Sequence, residues 1–174
     1  MILLSVRSAA AFCFVEAGEE YNISPQLLWA IAKSESDFIP SAINWNQNGS
    51  FDYGLMQINS WWYSKLGHER WMRLDDPCYN VKIGAWILSQ CISKHGYTWD
   101  AVGCYNSRNK DRGAVYANKV YRSLLKVAAS TAKRAPVGCQ ESGLLRREHP
   151  VIRSLQQGHR ALRSSTEGLG PPVW

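Results

Sequence analysis

A membrane-crossing helix needs about 20 consecutive apolar residues, and no such run occurs in these 174 residues. Met1 to Ala11 starts apolar, but it is short and Arg7 interrupts it. There is no Cys-x-x-Cys pair and the four histidines are scattered, so no ligand set for a metal is visible. No segment repeats. What is present is a soluble composition with eight tryptophans, five cysteines and a formal net charge of +6. The charge is uneven. Residues 1–129 hold 13 basic and 11 acidic side chains, a net +2, and residues 130–174 hold 7 and 3, a net +4. A basic protein is drawn to anionic polymers such as cell wall or nucleic acid, although the same charge also serves plain solubility. Five cysteines point to an oxidising compartment.

The length fits one domain and a tail. Ser24 and Pro25 open a helix as N-cap and first residue. Leu28, Ile31, Ala32 and Glu35 then recur at helical spacing, so Glu35 continues the apolar stripe. Burial there and the C-terminal end of the helix dipole both favour the protonated acid, and such a group can serve as a general acid. The plainer alternative is a last-turn Glu that bends out to water. Pro40 ends the helix. The stretch Asn44 to Asn59 reads as a hairpin turning at Asn48-Gly49, and Asp52 lies within it. Two acids on a helix end and a turn-strand unit are the parts of a glycosidase.

Four blocks carry a family resemblance: Glu35-Ser36 with Phe38 and Pro40, Asp52-Tyr53-Gly54-Leu55-Met56-Gln57-Ile58-Asn59-Ser60, Asp76-Pro77-Cys78 and Tyr105-Asn106. In this order and spacing the chain resembles the lysozyme-like superfamily. It is most similar to the small specialised lytic transglycosylases of bacterial type III and type IV secretion and conjugation systems. The resemblance covers roughly residues 12–127, and departs from the usual Tyr-Asn-Ala-Gly at Ser107-Arg108. It implies a mainly α (α+β) lysozyme-like fold, with several helices and a small β-hairpin beside a sugar cleft.

The same resemblance implies peptidoglycan glycan strands as substrate and no metal or other cofactor. Protonated Glu35 would donate to the oxygen between N-acetylmuramic acid and N-acetylglucosamine. Ionised, it would then take the proton of the muramoyl 6-hydroxyl, which closes on the anomeric carbon to give a 1,6-anhydro end. Asp52 would be a nucleophile or an electrostatic support, or a turn-forming Asp. Gln57, Tyr105 and Asn106 would meet the substrate. Gln57 could instead satisfy the hairpin, and Asn106 could be a helix C-cap. Ser36 reads as a local cap. The family also implies a Cys13–Cys78 bridge. Cys91 and Cys104 form a second bridge if their Cα atoms approach closely enough, and otherwise remain two buried thiols.

Along the chain, residues 1–11 are expected to be a truncated signal segment, implying export to a bacterial periplasm. The lysozyme-like domain is expected over 12–129, and a basic, disordered tail with Cys139 over 130–174. Residues 144–162 could form a basic helix that meets an apparatus component. Short helices are expected over 12–21 and within 60–74. Asp76 should cap a helix with Val81, Ala85, Leu88 and Ile92 inward and Gly96 at its end. Thr98 should cap the next, with Ala101, Val102 and Tyr105 on one face. Gly113 should precede a last helix carrying Tyr116, Val120, Leu124 and Val127. The protein is expected to be a monomer. Two other functions fit the sequence: a hydrolytic muramidase using Asp52, and a non-enzymatic wall-binding assembly protein.

Overall fold

The computed structural model describes the backbone of residues 12–134 and the side chains of residues 12–126. The expected signal segment 1–11, Cys139 and the basic helix over 144–162 lie outside the described residues. Six α-helices and one three-stranded antiparallel sheet make up the described chain. It divides into two compact units, one ending at Trp86 and the other starting at Ile87. Among the described residues no helix is long and apolar enough to cross a membrane.

In the first unit, α1 (Phe14–Tyr21) turns into α2 (Pro25–Ser36) through Asn22 in the left-handed region. Gly18 makes this turn possible, because a Cβ there would lie 2.6 Å from the Ile23 carbonyl oxygen. Ser24 caps α2 as expected, its hydroxyl accepting from the Leu27 N–H at 3.4 Å. The inward face of α2 buries Leu27, Leu28, Ile31 and Ala32 almost completely. Burying each larger aliphatic side chain contributes about 1.5–3 kcal/mol. Asp37 and Phe38, both left-handed, then end the helix before Pro40.

Strands β1 (Ile43–Trp45), β2 (Phe51–Tyr53) and β3 (Ile58–Asn59) form the sheet in the order β1-β2-β3. The first two are the expected hairpin. It closes with Asn46 N–H on Ser50 O at 2.8 Å, and Gly49 has φ 81°. The third strand enlarges that hairpin into a sheet, because the chain reverses again at Gly54–Gln57. The single helix expected within 60–74 is more broken than that. A 3-10 turn (Ser60–Trp62) leads into α3 (Tyr63–Met72), which kinks at Gly67, and a second 3-10 turn follows (Arg73–Asp75). Asp76 caps α4 (Pro77–His95) by accepting from the Tyr79 N–H at 2.7 Å.

In the second unit, Gly96 (φ 71°) ends α4, with Leu88 fully buried and Ile92 half-buried. Thr98 occupies the N-cap of α5 (Trp99–Asn106), but its hydroxyl donates back to His95 O at 3.1 Å rather than capping the new helix. α6 starts at Lys110, not after Gly113, because Asn109 supplies the cap by accepting from the Arg112 N–H at 3.0 Å. Gly113 therefore sits inside the first turns of α6. There it meets Gly103 of α5 backbone to backbone, and a Cβ on Gly103 would lie 2.8 Å from Gly113 O. Tyr116 and Val120 are buried as expected. The helix continues to Arg134, past the expected boundary at Ala129.

The Cys13–Cys78 bridge implied by the resemblance is formed, and of the two alternatives for Cys91 and Cys104 the bridge is the one adopted. Cys13–Cys78 spans a sequence separation of 65 within the first unit, and Cys91–Cys104 a separation of 13 within the second. In a chain-entropy account the longer loop contributes roughly 4 kcal/mol and the shorter roughly 3. Urea unfolding of the Cys13→Ser/Cys78→Ser and Cys91→Ser/Cys104→Ser variants should therefore show the larger loss in the first. The reverse order would mean that strain or packing, not loop closure, sets the stabilisation.

Candidate active site

Glu35 stands in the last turn of α2, next to the terminal residue Ser36. It is half-buried, at the end of the stripe formed by Leu28, Ile31 and Ala32. Ser36 is not merely a local cap. Its hydroxyl lies 2.8 Å from Leu55 O, nineteen residues on, and 3.4 Å from Ala32 O in its own helix. The residue beside the acid is thereby tied to the turn that joins β2 to β3.

That turn is held from three sides. Gly54 (φ 81°) and Gln57 (φ 49°) both adopt left-handed backbone. The Gln57 side-chain nitrogen donates to Ala42 O at 3.1 Å and to Gly54 O at 2.9 Å. Its amide thus braces the turn against the segment leading into β1. From below comes Asn80 of α4, which is fully buried. Its Oδ1 accepts from the Met56 N–H at 2.8 Å, while its Nδ2 donates to Tyr53 O at 3.3 Å and Leu74 O at 3.1 Å. Any side chain at Gly54 would fall on this amide.

Asp52 projects from the middle of β2. Register pairs it with Asn44 on one side and Asn59 on the other, so all three share one face of the sheet. Asn59 Nδ2 donates to Asp52 Oδ1 at 2.7 Å and Asn46 Nδ2 to Asp52 Oδ2 at 3.0 Å. Each of these amides also donates to Ser50 Oγ, at 3.2 and 3.1 Å. The carboxylate is fixed by strand neighbours rather than by the backbone amides of a turn.

Glu35, Asp52 and Gln57 all belong to the first unit. Tyr105 and Asn106 belong to the second, in the last turn of α5. Tyr105 is half-buried, its ring 6.5 Å from that of Tyr116 with planes 20° apart. Asn106 is exposed, and the C-cap falls on Ser107 instead. Among the described residues no group of three or more His, Cys, Asp or Glu is arranged to hold a metal ion. Sequence reasoning did not single out Asn80 or Asn46, and gave Asn59 no role. Asn80 left a trace, since it precedes the core residue Val81 and lies four before Gly84, on the inward side of α4.

A helix with an acid in its last turn, followed by a small antiparallel sheet that carries a second carboxylate, is a lysozyme-like arrangement. The model of the Transglycosylase SLT domain matches residues 12–120. Invasion protein IagB of Salmonella typhimurium is 41% identical over 138 residues, 75% of this chain and 86% of its own. Protein IpgF of Shigella flexneri is 41% identical over 128 residues, 70% and 84%. The crystal structure of an inactive glutamate-to-glutamine mutant of lytic transglycosylase Slt from Pseudomonas aeruginosa shares the fold, with a TM-score of 0.55 at 19% identity. That match covers 71% of this chain and only 24% of the longer Slt chain. The chain belongs to the transglycosylase SLT family and is a lytic transglycosylase.

Asn80→Ala leaves Met56 N–H, Tyr53 O and Leu74 O without their buried partner. It should lower stability by about 3 kcal/mol or more in denaturant unfolding. Asn80→Asp should not rescue, because an oxygen would then face the two carbonyls. By contrast, Ser36→Ala removes one bond and should cost about 1 kcal/mol. If Asn80→Ala unfolds like wild type, the turn is held by Ser36 and Gln57 alone.

Proposed function

We propose that the protein cleaves the β-1,4 bond between N-acetylmuramic acid and N-acetylglucosamine in peptidoglycan and leaves a 1,6-anhydromuramoyl end. Glu35 is the only acid required to move protons. Protonated, it donates to the bridging oxygen as positive charge grows on the muramoyl ring. Ionised, it removes the proton of the 6-hydroxyl, whose oxygen closes on the anomeric carbon. The attack is intramolecular, so no water need be captured. The observation that carries this reading is the half-buried Glu35, whose neighbour Ser36 is bonded to the β2-β3 turn. The inactivity of the glutamate-to-glutamine mutant of Slt supports it by analogy.

Asp52 acts as an electrostatic support for the cationic sugar. An amide hydrogen on each carboxylate oxygen fixes its plane and engages its lone pairs, which suits an oriented electrostatic support better than an attacking nucleophile. Gln57 shapes the floor of the site, and Tyr105 and Asn106 contact the glycan. The enzyme works outside the cytoplasm, in the periplasm, opening the wall locally for a secretion or conjugation apparatus. The similarity to IagB, an invasion protein, supports that role. It acts as a monomer without a cofactor.

Mass spectrometry of fragments released from purified sacculi tests the chemistry. Products lighter by one water, with anhydro ends, are expected. Reducing ends would instead make the protein a muramidase with Asp52 as its second catalytic group. Glu35→Gln should lower the rate by about 10³-fold with an unchanged unfolding curve, and Asp52→Asn should lose distinctly less. Equal losses would favour the nucleophile.

The catalytic body spans residues 12–129, and the basic tail docks on an apparatus component. A chain ending at Arg134 should release glycan fragments at the full rate but lose the partner. Loss of cutting would refute this division of labour.

A further inference from the structure

The two faces of the small sheet differ in chemistry. Asn44, Asp52 and Asn59 share one face; the same register puts Ile43 and Trp45 with Phe51 and Tyr53 on the other. On this reverse face Trp45 is 75% exposed, and its ring lies 5.0 Å from that of Phe51. The aromatic path continues to Trp71 at 6.0 Å from Phe51 and then to Tyr63 at 5.7 Å. Tyr63 Oη is 3.3 Å from His68 Nδ1. All of these residues lie in the first unit. Trp45 and Tyr63 stand exposed at the two ends of this row, with Phe51 and Trp71 half-buried between them; exposed rings held on an aromatic backing mark a binding surface.

We propose that this reverse face is a second glycan-docking platform, which grips a neighbouring strand of the polymer while the Asp52 face addresses the strand to be cut. The inference rests on the peptidoglycan reading above. The chemistry of the row selects a sugar. Trp45, Tyr63, Trp71 and His68 pair a flat apolar or aromatic body with a polar edge, and a pyranose pairs an apolar C–H face with a rim of hydroxyls. Continuity with the site selects the same polymer. β2 carries Asp52 on one side and Phe51 on the other, so only the sheet's own thickness separates the faces. A meshwork of glycan strands can present a chain to each. Binding on the second face raises the local concentration of cleavable bonds without entering the chemistry.

The test uses the full chain carrying Glu35→Gln, so that sacculi are not digested, and measures co-sedimentation with purified sacculi. Trp45→Ala should weaken binding about tenfold, the loss typical of truncating one aromatic anchor. Trp45→Phe, which keeps a ring, should retain most of it. Thermal unfolding should be unchanged, since the side chain stands largely in water. With Glu35 intact, turnover of a short soluble glycan that cannot bridge both faces should be the same with and without Trp45→Ala. Sacculus binding indifferent to Trp45→Ala would overturn the proposal and leave the face to a protein partner. So would a dimer, seen by ultracentrifugation, that Trp45→Ala converts to monomer. Failure of soluble turnover in the parent would count against the Glu35 chemistry, not against the platform.

Discussion

The first unit depends on one buried amide. Asn80 sits inside α4 with no exposed surface, yet every partner it has is backbone from the segments around the site: Met56 N–H, Tyr53 O and Leu74 O. A tight turn leaves peptide groups that its own strands cannot pair, and burial makes each unpaired group expensive. A side-chain amide offers a donor pair and an acceptor in one plane, which is the combination needed here. A hydrocarbon would fill the volume but satisfy none of the three groups. A carboxylate would accept from Met56 and repel the carbonyls. Gly54 follows from the same constraint. Its φ of 81° favours glycine, and the Asn80 amide occupies the space a Cβ would need. Gly84, one turn further along α4, gives its own Cβ space to the Met56 side chain.

With the turn fixed, the two acids are positioned by short chains of bonds. Ser36 couples the end of α2 to Leu55, and Asp52 lies three residues before Leu55 on the strand that enters the turn. Asn46 and Asn59 then hold the carboxylate from the loop before β2 and from β3. A side chain held on both oxygens is already oriented, so the electrostatic support proposed for Asp52 would need little reorganisation. That is the condition under which electrostatic stabilisation is effective.

Much of this was legible because local chemistry and global fold agree. Ser24-Pro25, Asp76-Pro77 and Asn48-Gly49 announce two helix starts and a hairpin turn, and each does what its local chemistry dictates. The stripe ending in Glu35 was legible from spacing. Three features were not. Thr98 looks like a cap, but a hydroxyl can donate backwards as well as accept, and His95 O was the better partner. Gly113 looks like a helix boundary because glycine weakens helices, yet tertiary contact with Gly103 required it inside one. Asn80 belongs to a helix whose period shows which face is inward, but not which distant carbonyls await an amide. The second carboxylate was visible as a residue; of its two asparagine partners, Asn59 depends on strand register and Asn46 on the path of the hairpin loop, and no short motif encodes either.

The left-handed residues show how this arrangement is maintained. Of five non-glycine residues with positive φ among those described, Asp37, Phe38 and Gln57 flank Glu35 and its turn. Such backbone costs about 1–2 kcal/mol at each position, so it persists only where the surroundings over-determine it. Gln57 is held by its own amide on Ala42 and Gly54. Phe38, the bulkiest of the three, packs its ring 4.7 Å from Trp29 and 6.2 Å from Phe12. Asp37 pairs with Lys33 one helical turn back. The consequence is a helix that stops directly after Ser36 and a chain that turns immediately towards β1. If α2 instead continued through Asp37 and Phe38, Glu35 would lie in mid-helix and lose its place at the negative end of the dipole. Ser36 would also lack the sharp exit that the chain makes beside Leu55. The strain beside Glu35 is therefore what keeps the acid at a helix end, and the aromatic cluster around Phe38 sustains it from outside the site.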